Sequence, residues 1–87
     1  MIYELKLSSM AQKTYAKAGK ALAKKLARAF SILETNPFES NNIKSLGGKY
    51  KGLFRYRIGD YRIIYQVNKS LKRVEVLSIK DRKEAYE

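Results

Sequence analysis

Two residues, Gly59-Asp60, separate two runs in which apolar and polar side chains alternate, and that pattern leaves this stretch little choice but a β-hairpin. Phe54, Tyr56 and Ile58 fall on one side of the first run, and Tyr61, Ile63, Tyr65 and Val67 fall together in the second. Glycine in the first turn position suits a type II′ turn, whose backbone twist matches that of the strands it joins. A two-residue turn also fixes the register: Ile58 faces Tyr61, Arg57 faces Arg62, Tyr56 faces Ile63 and Arg55 faces Ile64. Asn68-Lys69-Ser70 is a second turn signal, and Val74 to Ile79 reads as a third strand. The C-terminal half is therefore expected to be a three-stranded antiparallel meander.

The N-terminal half has a different period. Residues 2–7 alternate, with Tyr3, Leu5 and Leu7 on one face, and predict a half-buried strand. Ser9-Met10-Ala11-Gln12 matches a capping box and predicts a helix from Met10. Gly19 interrupts it, because glycine costs about 1 kcal/mol relative to alanine inside a helix. Leu22, Leu26, Phe30 and Leu33 then recur at helical spacing, up to a stop at Asn36-Pro37, so a helical hairpin or kinked pair is expected. Residues 38–52 read as a loop that carries Leu46 back to the core. The expected fold is α+β in one domain over residues 1–87: an N-terminal strand, two helices and the meander, forming a small twisted sheet with the helices packed on one face.

Composition removes whole classes of chemistry. The 87 residues include no Cys and no His, which excludes disulfides, thiolate nucleophiles, histidine bases and the usual zinc sites. Catalysis would have to come from Lys, Arg, Tyr, Ser, Asp or Glu, and no metal or other cofactor is expected. No apolar run approaches the roughly 20 residues a bilayer requires, and MIYELKL lacks the regions of a signal peptide. A cytoplasmic protein is the expectation.

Nineteen Lys and Arg against eight Asp and Glu give a net charge of +11, which points to a phosphate-rich partner. Lys13, Lys17, Lys20, Lys24, Lys25 and Arg28 occupy residues 10–30 with no acidic residue among them. They suit a phosphate-tracking face. A solvated helix surface, or a helix lying on a membrane, would show the same pattern. The hairpin register is more telling, since it puts Arg55, Arg57 and Arg62 on one sheet face. Like charges on adjacent strands repel, so this face calls for a counter-ion, either Asp60 or Glu75 or a phosphate gripped bidentately.

The run Gly59-Asp60-Tyr61-Arg62-Ile63-Ile64-Tyr65-Gln66-Val67, with Arg55-Tyr56-Arg57 before it and Ile79-Lys80-Asp81-Arg82-Lys83-Glu84-Ala85-Tyr86 after it, resembles the RelE toxins of bacterial and archaeal toxin-antitoxin modules. The likeness covers nearly the whole chain and lies within the RelE/ParE superfamily. It implies a microbial-ribonuclease-like fold that enters the ribosomal A site and cuts messenger RNA there. It also implies an acidic RelB-like antitoxin as partner, in a hetero-oligomer whose toxin is a monomer when free, besides the ribosome with its mRNA and rRNA.

By motif, the resemblance implies Arg55, Arg62, Arg82 and Tyr86 as the catalytic set. Leu53 stands where a second strand lysine lies in well-known members, so Lys49 or Lys51 would have to reach in. Asp81 stands where many relatives carry His. The inferred chemistry is attack of the RNA 2′-OH on the adjacent phosphorus, with the arginines stabilising the crowded phosphate. Tyr86 and Asp81 are rival bases, since an arginine above pKa ~12 is not one. Lys49, Lys51, Arg57, Lys80 and Lys83 join the six helical cations as candidate RNA or ribosome contacts. A ParE-like toxin aimed at DNA gyrase and a non-catalytic RNA-binding module are the competing readings.

Overall fold

The early alternation produces β1 (Glu4–Leu7), with Leu5 and Leu7 packed on the core and Glu4 and Lys6 exposed. α1 (Ser9–Lys17) follows directly, and α2 (Lys20–Thr35) begins after Ala18 and Gly19, both of which take extended backbone. The computed structural model, which describes residues 2–81, continues with β2 (Ile43–Ser45), a 3-10 turn at Gly48–Tyr50, β3 (Phe54–Ile58), β4 (Tyr61–Asn68) and β5 (Arg73–Asp81).

Capping differs from the sequence expectation by one residue. Ser8, not Ser9, is the N-cap of α1, and its hydroxyl accepts the Ala11 N–H at 3.0 Å. Ser8 is also where α1 is tied to the sheet: its N–H donates to the Val76 carbonyl at 2.9 Å and its hydroxyl to the Leu77 carbonyl at 2.6 Å. Gln12 closes no box and donates instead to the Leu7 carbonyl at 2.9 Å.

The strands form one sheet in the order β1-β5-β4-β3-β2. The meander has the expected hairpin register, from Ile58 opposite Tyr61 to Arg55 opposite Ile64. Gly59 has φ +59° while Asp60 takes no positive φ, which is the type II′ pattern. The sheet is larger than a meander. β1 pairs in parallel with β5, a pairing that needs a long crossover, which the two helices and the intervening strands provide. β2 arises inside the segment expected to be loop, pairing antiparallel with β3. Three residues are too few to show a period, and the free backbone groups on the edge of β3 recruit them.

Both helices cover one face of the sheet. Ala11 of α1 and Leu26, Ala29, Phe30 and Leu33 of α2 pack with Tyr56, Ile63, Tyr65, Val74, Val76 and Ile79. The apolar stripe of α2 is thus buried in the core, which removes the reading of that helix as a membrane-surface segment. Tyr15 and Phe30 join the helices through an edge-to-face contact at 5.4 Å. Leu46 does not enter this core: it lies half-buried against the opposite face of the sheet, beside Ile64.

Tyr65 is fully buried, and its hydroxyl donates to the Pro37 carbonyl at 2.7 Å, anchoring the end of α2 to the sheet. Burial, with Tyr56 adding to it, raises its pKa well above the usual phenol value. Tyr65→Phe is expected to cost about 1–3 kcal/mol in urea unfolding, because the Pro37 carbonyl loses its donor. A phenol whose pKa is raised by folding stabilises fully below its unfolded value of about 10 and loses that contribution as pH rises through the folded value. The wild type is therefore expected to lose stability above about pH 10 more steeply than Tyr65→Phe.

Candidate nucleic-acid interface

The face of the sheet turned away from the helices collects the cations. β3 contributes Arg55 and Arg57, opposite Ile64 and Arg62 of β4. β2 contributes Lys44, in register with Arg55. β5 contributes Ser78 and Lys80, in register with Ile64 and Arg62. Two rows cross the strands as a result, one running Lys44, Arg55, Ile64, Ser78 and the other Arg57, Arg62, Lys80. Neighbouring strands lie about 4.8 Å apart, so the second row sets three cations side by side.

Lys80 reaches this face because β5 is bulged. Ile64 pairs with Ser78 and Tyr65 with Val76, leaving Leu77 as the extra residue. Val74 and Val76 point to the core, and without the bulge Ser78 and Lys80 would follow them there. The hydroxyl bond from Ser8 to the Leu77 carbonyl pins that irregularity.

Arg55 is half-buried, and its Nε is buried with no hydrogen-bond partner among the described residues. A guanidinium stays charged in a protein, and a buried donor left in this state costs about 1–3 kcal/mol. On the same face Leu46, Tyr50, Leu53, Ile64 and Leu77 enclose an apolar cavity of about 200 Å³, with Lys80 at its margin. Leu53 belongs to that apolar wall. Lys49 and Lys51 are exposed on the preceding turn, and the Lys49 Nζ lies 5.4 Å from the Tyr50 ring centre.

Glu75 and Glu4 sit toward the other end of the face. Glu75 does not neutralise the arginines of the hairpin: it accepts a hydrogen bond from Gln66 at 2.6 Å. Glu4 pairs with Arg73 at 3.2 Å, an exposed pair worth at most about 1 kcal/mol.

The sequence candidates are thus sorted. Arg55, Arg57, Arg62 and Lys80 come together. Lys13, Lys17, Lys20 and Lys24 are exposed on the helices, which cover the opposite face of the sheet. Lys25 and Arg28 are exposed too, but line a cavity of about 300 Å³ together with Arg57. Asp81 is in register with Tyr61 and falls by alternation on the helix-side face. Arg82, Lys83 and Tyr86 lie outside the described residues. Lys44 was missed, since its strand is too short to announce a face. Among the described residues no group of three or more Asp or Glu could hold a metal, and no helix is long and apolar enough to cross a membrane.

Residues 5–86 match the family model described as the ParE toxin of the type II toxin-antitoxin system parDE. The chain belongs to this toxin family. Among solved structures, the toxin resembles an archaeal RelE-RelB complex from Pyrococcus horikoshii at 32% identity and TM-score 0.83, covering 98% of this chain and 100% of that one. It resembles the RelBE2 toxin-antitoxin complex from Mycobacterium tuberculosis at 25% identity and TM-score 0.79, covering 94% and 100%. The intact RelBE complex of Escherichia coli, at 23% identity and TM-score 0.76 over 91% and 95%, shows the same fold. No curated protein matches. The toxin is therefore a member of the RelE/ParE superfamily, and its described residues form an α+β architecture of two helices on a five-stranded mixed sheet.

Proposed function

We propose that this toxin is a ribosome-dependent, metal-independent endoribonuclease that cuts messenger RNA in the A site and so halts translation. The observation that carries the reading is the buried Nε of Arg55, without a partner among the described residues, on a face that also holds Arg57, Arg62 and Lys80. A pre-formed cationic surface with a donor awaiting an acceptor suits a phosphate that gains charge in its transition state. In the reaction the 2′-hydroxyl gives its proton to the base as its oxygen bonds to phosphorus, the bond to the 5′-oxygen breaks, and the leaving oxygen takes up a proton, which leaves a 2′,3′-cyclic phosphate. Arg55, Arg62 and Arg82 stabilise the phosphorane-like charge. Tyr86 is the favoured base or positioning group, because Asp81 falls on the other face by register. Ribosomal positioning of the RNA makes up for the missing histidine.

The exposed lysines of the helices steer the toxin toward polyanions over a distance set by the ionic strength. An acidic antitoxin resembling RelB is the proposed partner that silences it, as the relatives from P. horikoshii and M. tuberculosis are found in complex with theirs. Because the matched family model is that of ParE, poisoning of DNA gyrase is the second reading.

Primer extension on a messenger RNA in a translating extract tests the proposal. Wild type is expected to cut in phase with codons and only with ribosomes present, and Arg82→Ala and Tyr86→Phe each to cut at least tenfold more slowly. Absence of cleavage by folded wild-type protein, with inhibition of gyrase supercoiling, would establish the second reading instead.

A further inference from the structure

The cavity beside the hairpin turn lies at a break in the sheet edge. β2 begins at Ile43, opposite Tyr56, so Arg57 and Ile58 of β3 are paired with β4 alone, and on their other side the Asn42 carbonyl accepts the Arg57 N–H at 2.9 Å. α2 passes close by because Ala29, which is buried, presents only a methyl group there, and Gly59 adds no side chain. Lys25 and Arg28, three positions apart on α2, lie on one face of the helix and line the cavity with Arg57. None of these three cations takes part in an ion pair or side-chain hydrogen bond among the described residues. Gathered around one cavity of about 300 Å³, they repel one another until an anion enters.

Arg57 belongs to two groupings. It lines this cavity and also heads the row that continues through Arg62 to Lys80. The cations therefore form one path across three strands, over the open edge of β3 and onto α2. A lone anion needs no such path, whereas an RNA backbone presents phosphates in succession along one. We infer that Lys25, Arg28 and Arg57 form a second phosphate site, which holds a non-scissile phosphodiester of bound RNA while the sheet face holds the scissile one. The inference rests on the RNA-directed reading above, and its readout is binding rather than cleavage.

The test measures the affinity of the full chain for a fluorescein-labelled 2′-O-methyl oligouridylate, which cannot be cut, across a series of salt concentrations. Each phosphate contact on a single strand contributes about 0.7 to the slope of log affinity against log salt. Lys25→Ala/Arg28→Ala is expected to lower that slope by about 0.7, so that between 50 and 200 mM salt its affinity falls about 2.5-fold less than that of the wild type. Lys20→Ala/Lys24→Ala removes the same charge from the same helix and is expected to move the slope by less than half as much. Equal slopes for the two variants would overturn the site in favour of diffuse attraction. Unchanged RNA binding by Lys25→Ala/Arg28→Ala, with loss of binding to an Asp- and Glu-rich peptide, would overturn it in favour of an acidic protein partner. A slope change in a protein that never cuts mRNA would uphold the site while refuting the nuclease, and cleavage with equal slopes would do the reverse.

Discussion

Arg55→Met is expected to yield a protein that is more stable and far less active. Methionine keeps most of the length and apolar stem of arginine and removes a buried donor that has no acceptor among the described residues. Resistance to urea should rise by about 1–3 kcal/mol, the cost of leaving such a group unsatisfied. Codon-phased cleavage should fall by about 10²–10³-fold, as when one preorganised donor is lost from a transition-state site. Opposite signs in the two measurements are what a strained functional residue produces. A variant less stable than wild type would mean that the guanidinium contributes to the fold, and one with full activity would remove Arg55 from the site.

Leu26→Ala is expected to weaken the fold by about 2–5 kcal/mol, since Leu26 is fully buried where α2 meets the sheet. Small domains have only about 5–15 kcal/mol in total, so the urea midpoint should drop by a large fraction with little change in m. Leu26 lies on the opposite side of the sheet from Arg55 and Arg62, so cleavage per folded molecule should be unchanged. Activity lost in proportion beyond the unfolded fraction would mean that helix packing also sets the geometry of the cationic face.

Much of the fold was legible because hydrophobic period and turn chemistry are local. Gly59-Asp60 with its flanking alternation determined the hairpin, its register and the shared face of Arg55, Arg57 and Arg62. The spacing of Leu26, Phe30 and Leu33 determined which side of α2 is buried. The capping residue was displaced by one because Ser8 and Ser9 are both competent caps, and the choice between them is made by the sheet: only Ser8 reaches the Val76 and Leu77 carbonyls. β2 was invisible because its three residues acquire extended structure from the edge they pair with.

The family resemblance rested on residues close together in the chain, and the family match over residues 5–86 agrees with it. What no local pattern carried is how distant segments combine. The bulge at Leu77 turns Lys80 onto the arginine face, and it depends on a serine 69 residues earlier in the chain. The cavity shared by Lys25, Arg28 and Arg57 depends on where β2 begins and on how closely α2 crosses β3. Sequence by itself determined the elements, the register of the hairpin and the excess of positive charge, because each follows from neighbouring residues. Only the tertiary structure decided which cations share a face and which lie apart, because a one-residue bulge or a shortened edge strand redirects side chains by pairings between remote parts of the chain.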